Sequence, residues 1–151
     1  MNIRLAVKKD LLDIVSLLAN DKLGKLREDF QDPLPKTYDD AFDRINSDPN
    51  QELVVIVNDY DTIIGTLQLS FIPYLTYQGG IRAQIEAVRV HEKYRGQGIG
   101  QHLFEWAIER AKEKGAHLIQ LTTDKKRPEA FNFYKRLGFI NSHEGMKLHL
   151  L

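Results

Sequence analysis

The chain has 151 residues, of which 42% are hydrophobic and 28% charged, and its 21 basic and 21 acidic side chains give a formal net charge of zero. This composition is typical of a globular domain and unlike that of a disordered, fibrous or general nucleic-acid-binding chain. The absence of cysteine excludes a disulfide framework and a thiol nucleophile. No uncharged run is long enough to span a membrane and the charged N-terminus lacks a signal-peptide pattern, so we expect a cytoplasmic protein that binds neither membrane nor nucleic acid.

The first half of the chain alternates short apolar runs with helical patterns. No repeat or linker interrupts the sequence, which predicts one domain over residues 1–151. Residues 2–7 form an apolar run typical of a first strand, and residues 10–19 show the spacing of an amphipathic helix. Residues 20–36 are expected to be partly irregular. A second helix is predicted over residues 37–46.

The middle of the chain has the pattern of a hairpin and a third strand. Two apolar runs within residues 52–71 flank the polar turn at residues 58–61, which predicts two antiparallel strands. Residues 72–80 contain Pro73 and two adjacent glycines, so we expect a loop there. Residues 82–90 are predicted to form the next long strand.

The second half predicts a β-α-β unit and a final pair of strands. The elements are a helix over residues 98–114 closed by Gly115, a strand over 117–123, a helix from Pro128 to Gly138, and a strand pair over 139–150. The resulting order is β-α-α-β-β-β-α-β-α-β(-β). This order favours an α/β (α+β) fold with a mixed sheet.

A glycine-rich segment carries the clearest chemical signal. Residues 86–100, EAVRVHEKYRGQGIG, lead from a strand through a basic loop into a helix whose first turn contains glycines. Bare amides at the positive end of a helix dipole suit phosphate oxygens, although a flexible glycine-rich connection is the alternative. The segment lacks the lysine and hydroxyl of a P-loop, and Gln101 or Leu103 occupies the third glycine position of a dinucleotide fingerprint. Both of those motifs are therefore disfavoured.

Two motifs resemble those of a known family. Residues 95–100, RGQGIG, match the [RQ]-x-x-G-x-[GA] motif of the GNAT family of N-acetyltransferases, and residues 130–139, AFNFYKRLGF, are similar to its second common signature. The predicted element order is also that of the family over nearly the whole chain. The resemblance implies a mixed, mostly antiparallel central sheet flanked by helices, and an acetyl-CoA-dependent N-acetyltransferase activity.

The resemblance also implies which residues bind the acyl donor, acetyl-CoA. The amides that would hold its pyrophosphate belong to Gly96, Gln97, Gly98, Ile99, Gly100 and Gln101. The strand that would pair with the pantetheine arm contains Val88, Arg89 and Val90. Candidate contacts for the CoA phosphates are Arg95, Lys125, Lys126 and Arg127, each of which is by itself more often plain solvated surface. Arg127 stands where many family members have an asparagine, which puts that asparagine contact in doubt.

Glu86 is the candidate general base. Without cysteine, the expected reaction is direct attack of an amine on the thioester in a ternary complex, although a serine acyl-enzyme stays open. A protonated amine needs a base before it attacks. Strand alternation places Glu86 on the same face as Val88 and Val90, in apolar surroundings, and the resemblance implies that this position often carries the base, directly or through water. The alternative is an ion pair with Arg82 or Arg89.

Tyr134 is the candidate general acid. The resemblance implies that this tyrosine protonates the departing CoA thiolate. The alternative is a core aromatic beside other phenylalanines. At the level of function, two alternatives stay open: a non-catalytic acetyl-CoA-binding sensor or regulatory module, and a nucleotide-binding regulator that uses the same glycines.

The acceptor is expected to be a small-molecule amine or a peptide amine. It would bind between residues 21–46 and the loop at 72–80. Acidic side chains in the first segment favour a cationic amine: Glu28, Asp29, Asp32, Asp39 and Asp40. The five histidines show no H-x-x-x-H spacing, so no metal site is predicted. A homodimer is compatible with the sequence.

Overall fold

One five-stranded sheet organises the molecule, and a computed structural model describes all of it, Met1–Leu151. The strands are β1 (Asn2–Leu5), β2 (Gln51–Val57), β3 (Ile63–Pro73), β4 (Ile81–Val90) and β5 (Leu118–Gln120). They lie in the order β1-β2-β3-β4-β5. The first four pair antiparallel and β5 pairs parallel to β4, which confirms the mixed, mostly antiparallel sheet.

Helices and short turns connect the strands. The helices are α1 (Leu11–Ala19), α2 (Lys36–Ser47), α3 (Thr76–Gly79), α4 (Ile99–Glu113) and α5 (Pro128–Arg136). Short 3-10 turns occupy Lys8–Asp10, Gly24–Leu26 and Glu92–Tyr94. The α3 segment is a single turn that contains left-handed backbone at Tyr77 and Gln78. None of the helices is long and apolar enough to cross a membrane.

The sheet is sandwiched between two apolar clusters. Alternation along β2 places Val54 and Ile56 in the cluster that contains the buried face of α4, and Val55 and Val57 in the cluster that contains α1 and Phe42 of α2. Part of α5 packs against the first cluster, which we call the α4-side core. This layering confirms the predicted sheet with helices on both faces.

An ion pair fastens α4 to β2. Glu52 is buried, and Arg110 of α4 donates to both of its carboxylate oxygens, with Nε–Oε2 at 2.9 Å and NH2–Oε1 at 2.7 Å. Burial opposes the ionisation of Glu52, but the hydrogen bonds and charge of Arg110 outweigh it and lower the pKa of the carboxyl. The helix that carries the glycine-rich motif is therefore anchored at its far end.

A β-bulge interrupts β4 directly after Glu86. Glu86 pairs with Gln68 and Arg89 with Thr66, so two residues of β4 stand opposite one of β3, and Ala87 has a φ of 54°. The extra residue reverses the alternation of side chains. Val88 and Val90 pack against the α4-side core, whereas Glu86 lies on the other face. The prediction that Glu86 shares a face with these valines is wrong for this reason.

The C-terminal residues form no strand. Residues 139–151 contain neither helix nor strand, so the strand pair predicted over 139–150 is wrong for the isolated chain. The alternating pattern is present, but a strand needs a neighbour to bond its backbone, and no part of this chain lies beside these residues as a partner strand. The strand predicted over 117–123 is also shorter, because only Leu118–Gln120 pair with β4.

Candidate active site

The start of α4 presents unpaired amides. Gly98 caps the helix with left-handed backbone (φ 80°, ψ 0°), and Gly96 is also left-handed (φ 75°). The first intrahelical bond runs from His102 N to Gly98 O at 3.0 Å. The amides of residues 99–101 precede that bond, so they have no intrahelical acceptor and lie at the positive end of the helix dipole. This arrangement suits the oxygens of a phosphate or diphosphate.

β4 is splayed from β5 beside these amides. The two strands pair only at Arg82–Leu118, Ala83–Ile119 and Gln84–Gln120. Residues 85–90 therefore have a β3 neighbour but no β5 neighbour. The carbonyls of Val88 and Val90 instead accept side-chain bonds, from Arg89 at 2.7 Å and Arg95 at 3.1 Å. An extended ligand with amide groups fits such an edge, because it replaces the missing strand.

Glu86 lies at the bulge, on the face of the sheet opposite α4. Its side chain is exposed, and Gln84 Nε2 donates to Glu86 Oε1 at 3.1 Å. The apolar surroundings predicted for this carboxylate are absent. Neither Arg82 nor Arg89 forms an ion pair with it, so the alternative given by the sequence is absent too. The carboxylate is accessible to a ligand that approaches this face.

The same face carries a set of hydrogen-bonded amides and a hydroxyl. Gln120 Nε2 donates to Gln84 Oε1 at 2.6 Å, and Gln51 Oε1 accepts from Gln68 Nε2 at 2.9 Å and from Ser70 Oγ at 2.7 Å. We call this set the polar floor: Gln51, Gln68, Ser70, Gln84 and Gln120. The sequence analysis did not predict it, although the alternation of polar residues along the predicted strands indicates such a face. Glu86 is thus part of a polar surface.

Tyr134 packs on the opposite side of β4. Its ring centroid lies 5.4 Å from that of Phe104 and 5.7 Å from that of Phe133. This packing is the one that the alternative, a core aromatic, predicts. The hydroxyl has no hydrogen-bond partner within the protein, so it is free to donate to a ligand. Burial raises the pKa of Tyr134, and the nearby charges of Arg127 and Arg89 act against that rise. The phenol is therefore protonated at neutral pH.

A three-residue cluster joins distant parts of the chain next to Tyr134. The Asp21 carboxylate accepts a hydrogen bond from Arg127, lies 3.5 Å from Arg89 NH2, and accepts from Gly24 N at 3.2 Å. Burial alone would raise the pKa of Asp21, but the Arg127 bond, the Gly24 bond and the Arg89 charge bring it to about 2. Sequence reasoning missed Asp21 and assigned Arg127 to a CoA phosphate, whereas its guanidinium here binds this carboxylate.

Comparison with known proteins identifies the family. Residues 22–139 match the model of the acetyltransferase (GNAT) family. The chain belongs to the GNAT family. It is 30% identical over 141 residues to an aminoalkylphosphonate N-acetyltransferase of Salmonella typhimurium, a match that covers 93% of this chain and 86% of that protein.

Solved structures show the same fold over nearly the whole chain. A crystal structure of a protein described as a transcriptional regulator from Bacillus halodurans is 56% identical, with a TM-score of 0.96 and 99% of both chains covered. A predicted acetyltransferase with acetyl-CoA from Clostridium acetobutylicum is 26% identical, with a TM-score of 0.75 and coverage of 99% of this chain and 96% of that one. The GNAT fold predicted from the motifs is thereby confirmed.

The acidic residues expected to attract a cationic acceptor are mostly paired in this GNAT chain. Asp39 lies 3.1 Å from Lys8, Asp40 lies 2.6 Å from Lys36, and Glu28 lies 2.7 Å from Arg27. Their negative charge is thus largely neutralised by side chains of the protein itself. Lys125 and Lys126 are exposed and form no ion pair. The structure contains no group of three or more side chains that could hold a metal ion.

Replacing Asp21 by asparagine tests the cluster through stability. Because the folded pKa of Asp21 lies below the unfolded value of about 3.9, the carboxylate stabilises the fold above pH 4, and this contribution is lost as the pH falls toward 2. We expect Asp21→Asn to lower the free energy of unfolding by about 2 kcal/mol at pH 7 and by much less near pH 2.5. Urea unfolding at both pH values measures this difference.

Asp59→Asn is the matched control, because Asp59 is exposed and pairs only with the N-terminal amine. It is expected to change the free energy of unfolding by less than about 0.5 kcal/mol at either pH. If Asp21→Asn lowers the free energy of unfolding by the same amount at pH 7 and at pH 2.5, the ionisation of Asp21 does not stabilise the fold.

Proposed function

We propose that this GNAT-family chain transfers the acetyl group of acetyl-CoA to the nitrogen of an amine acceptor, by direct attack within a ternary complex. One juxtaposition carries the proposal: the unpaired amides of residues 99–101 lie where the unpaired edge of β4 ends. The amides suit a diphosphate and the strand edge suits the amide groups of a pantetheine arm. Together they match the two halves of one ligand, CoA.

The binding roles follow the course of the chain. The diphosphate would accept from the amides between Gly96 and Gln101, and the pantetheine would pair with Val88, Arg89 and Val90. Arg95 lies between the two parts, and its Nε bonds the carbonyl of Val90. Its guanidinium would then meet the phosphate end of the ligand. The thioester would then reach the bulge at Ala87.

The acid and base candidates lie on opposite faces of β4, on either side of the strand along which the pantetheine would lie. The acceptor nitrogen would approach over the polar floor and lose a proton to Glu86, directly or through water, as its bond to the acetyl carbon forms. The tetrahedral intermediate that results then collapses, its carbon–sulfur bond breaks, and Tyr134 gives its proton to the departing thiolate. General acid–base catalysis of this kind contributes about 10²–10⁴-fold to a rate.

The acceptor we favour is a small amine that carries an anionic group. The Salmonella relative is named for aminoalkylphosphonates, which have this chemistry. In this chain Arg82 lies on the same face as Gln84 and Glu86, stacks 5.1 Å above the ring of Tyr74, and has no carboxylate partner. The pairing of Asp39 and Asp40 with lysines weakens the case for a cationic acceptor.

An assay of CoA release tests the proposal. The chain has no cysteine, so a thiol reagent reports CoA without background from the protein. Aminoalkylphosphonates, amino acids, polyamines and peptide N-termini are each offered with acetyl-CoA, and we expect amine-dependent release with at least one class. Binding of acetyl-CoA by calorimetry with no release for any amine would indicate the sensor instead. A melting temperature raised by ATP or NAD but not by acetyl-CoA would indicate a nucleotide-binding protein.

Gly98→Ala is expected to weaken both stability and acetyl-CoA binding. The left-handed backbone of Gly98 costs an alanine about 1–2 kcal/mol, and relaxation of that strain would turn the amides at the start of α4 away from the diphosphate. We expect a lower melting temperature and at least a ~10-fold higher Kd for acetyl-CoA, which corresponds to about 1.4 kcal/mol. Thermal unfolding and calorimetry measure the two effects.

Gly115→Ala provides the matched control. Gly115 has the same left-handed backbone (φ 74°) and the same open space for an added methyl group, but it lies beyond the other end of α4. Its replacement should lower stability by a similar amount and leave the Kd for acetyl-CoA unchanged. Equal losses of acetyl-CoA affinity in the two variants would indicate a general effect of backbone strain. That result would contradict a specific role of Gly98 in orienting the amides at the start of α4.

A further inference from the structure

Two arginines share one carboxylate beside Tyr134. Asp21, in the loop after α1, accepts a hydrogen bond from Arg127 and lies 3.5 Å from Arg89 NH2. We call these three residues the arginine cluster. Its two positive charges and one negative charge leave a net charge of +1. A single ion pair would have held the loop in place, so the second guanidinium is an excess charge.

Arg89 is the member of the arginine cluster whose donors are least satisfied. Its side chain is only 16% exposed, NH1 donates to the carbonyl of Val88 at 2.7 Å, and the buried Nε has no hydrogen-bond partner. Arg27 acts on Arg89 as a further cation, but it pairs with Glu28 at 2.7 Å, so that pair adds no net charge. An anion beside Arg89 would offset the cost of burying a cation with a free donor.

The arginine cluster lies beside the gap between β4 and β5. Val88 and Val90 pack on the α4 side, so alternation places Arg89 on the opposite face of β4. Tyr134 packs on the α4 side, and β5 pairs with β4 no further than Gln84, so no strand separates the two faces here. Burial raises the pKa of Tyr134, and the charges of the cluster act against that rise. A ligand in this gap therefore has the cluster on one side and the phenol on the other.

We propose that Arg89 stabilises the thiolate of CoA as it leaves, with Asp21 and Arg127 holding the guanidinium in place. This inference rests on the proposed function, which brings the thioester to the bulge at Ala87, two positions before Arg89. When the tetrahedral intermediate collapses, the electron pair of the carbon–sulfur bond passes to sulfur and the carbonyl forms again. The thiolate is negatively charged until Tyr134 donates its proton, and a fixed cation in a water-poor gap stabilises that charge. Water then returns a proton to the phenolate.

The thiol pKa of bound CoA tests this role without any acetyl transfer. The chain has no cysteine, so the thiol of CoA is the only one in the complex. Its ultraviolet thiolate absorbance is followed against pH, and the signal of the complex with desulfo-CoA is subtracted to remove the tyrosines. We expect the pKa of the bound thiol to lie at least ~1 below that of free CoA, because a nearby cation favours the thiolate. If calorimetry shows that CoA binds and its thiol pKa is unchanged, the role of Arg89 is overturned and the proposed function stands. If CoA does not bind, both fail.

Substitutions of opposite charge separate electrostatics from packing. Arg89→Gln should raise the thiol pKa toward that of free CoA and lower kcat at least ~10-fold, whereas Arg89→Lys should keep most of the lowered pKa. Asp21→Asn removes the negative charge of the arginine cluster, so it should lower the thiol pKa further although it destabilises the fold. A purely structural role would shift the thiol pKa in the same direction in Arg89→Gln and Asp21→Asn, or in neither. Either result overturns the proposal.

Two further variants separate Arg89 from other sources of the effect. The hydroxyl of Tyr134 also favours the thiolate when it donates a hydrogen bond, but in Tyr134→Phe the thiol pKa should stay below that of free CoA because Arg89 remains. A return to the free value in Tyr134→Phe, with no effect of Arg89→Gln, would assign the stabilisation to the phenol alone and overturn the proposal. Arg44→Gln removes a positive charge from an exposed position of α2 and should leave the thiol pKa unchanged. A shift as large as that of Arg89→Gln would indicate net charge alone and would also overturn it.

Discussion

Replacing Tyr134 by phenylalanine is expected to lower kcat for acetyl transfer by about 10²-fold and to leave the Kd for acetyl-CoA within about twofold. Phenylalanine preserves the packing against Phe104 and Phe133 and removes only the hydroxyl. That hydroxyl bonds no protein atom, so its loss leaves no partner unsatisfied. A loss of turnover would thus report the missing proton and not a disturbed core.

The pH dependence of kcat gives a second readout. A general acid is active only while it is protonated, and burial raises the pKa of Tyr134 above the ordinary value of a tyrosine near 10. The wild-type chain should therefore keep its activity through mildly alkaline pH and lose it only above that value. The Tyr134→Phe variant should lack this alkaline limb.

Tyr60→Phe is the control, because Tyr60 is fully exposed in the turn between β2 and β3. It should match the wild type in kcat and in pH profile. Wild-type turnover in Tyr134→Phe would mean that the ring serves only the core, which is the alternative that the sequence left open.

The features of the candidate site that the sequence could predict are local. The segment from Arg95 to Gly100 combines a loop, a cap and a first helical turn, and left-handed glycines are needed within a few residues of one another. Such a requirement is written in neighbouring residue types, so a motif can reveal it. The order of strands and helices followed in the same way from hydrophobic periodicity.

The parts that it missed depend on distant contacts. The bulge at Ala87 places a non-glycine residue in left-handed backbone, which strand alternation does not predict, and it moved Glu86 to the other face. Asp21 and Arg127 are 106 positions apart, and their pairing depends on the packing of α1 and α5 around β4. Residues 139–151 show a third limit: their pattern is that of a strand, but a strand forms only where a partner strand is present.

Replacing Glu86 by glutamine is expected to lower kcat/KM for the amine by about 10²–10⁴-fold near pH 7, with the Kd for acetyl-CoA unchanged. Glutamine keeps the size of the side chain and can still bond Gln84, but it cannot take a proton at neutral pH. An exposed carboxylate suits this role because the acceptor must reach it from solvent. Steady-state rates at varied amine concentration measure the effect.

The loss of kcat/KM in Glu86→Gln should become smaller as the pH rises. Without a base, only the small fraction of amine that is already neutral attacks the thioester, and this fraction grows tenfold per pH unit below the pKa of the amine, about 8–10. The ratio of wild-type to Glu86→Gln rates should therefore fall steadily between pH 7 and pH 9. A structural role for Glu86 would instead give a ratio that does not depend on pH.

Glu109→Gln makes the same chemical change at an exposed position of α4, where Glu109 pairs only with Lys112. It should leave both the rate and its pH dependence unchanged. If the loss of kcat/KM in Glu86→Gln does not depend on pH, we would infer that another group accepts the proton. The amine must lose its proton before or during attack, whichever group accepts it. The amides and the Ser70 hydroxyl of the polar floor are neutral and are not bases at this pH, so none of them would replace Glu86.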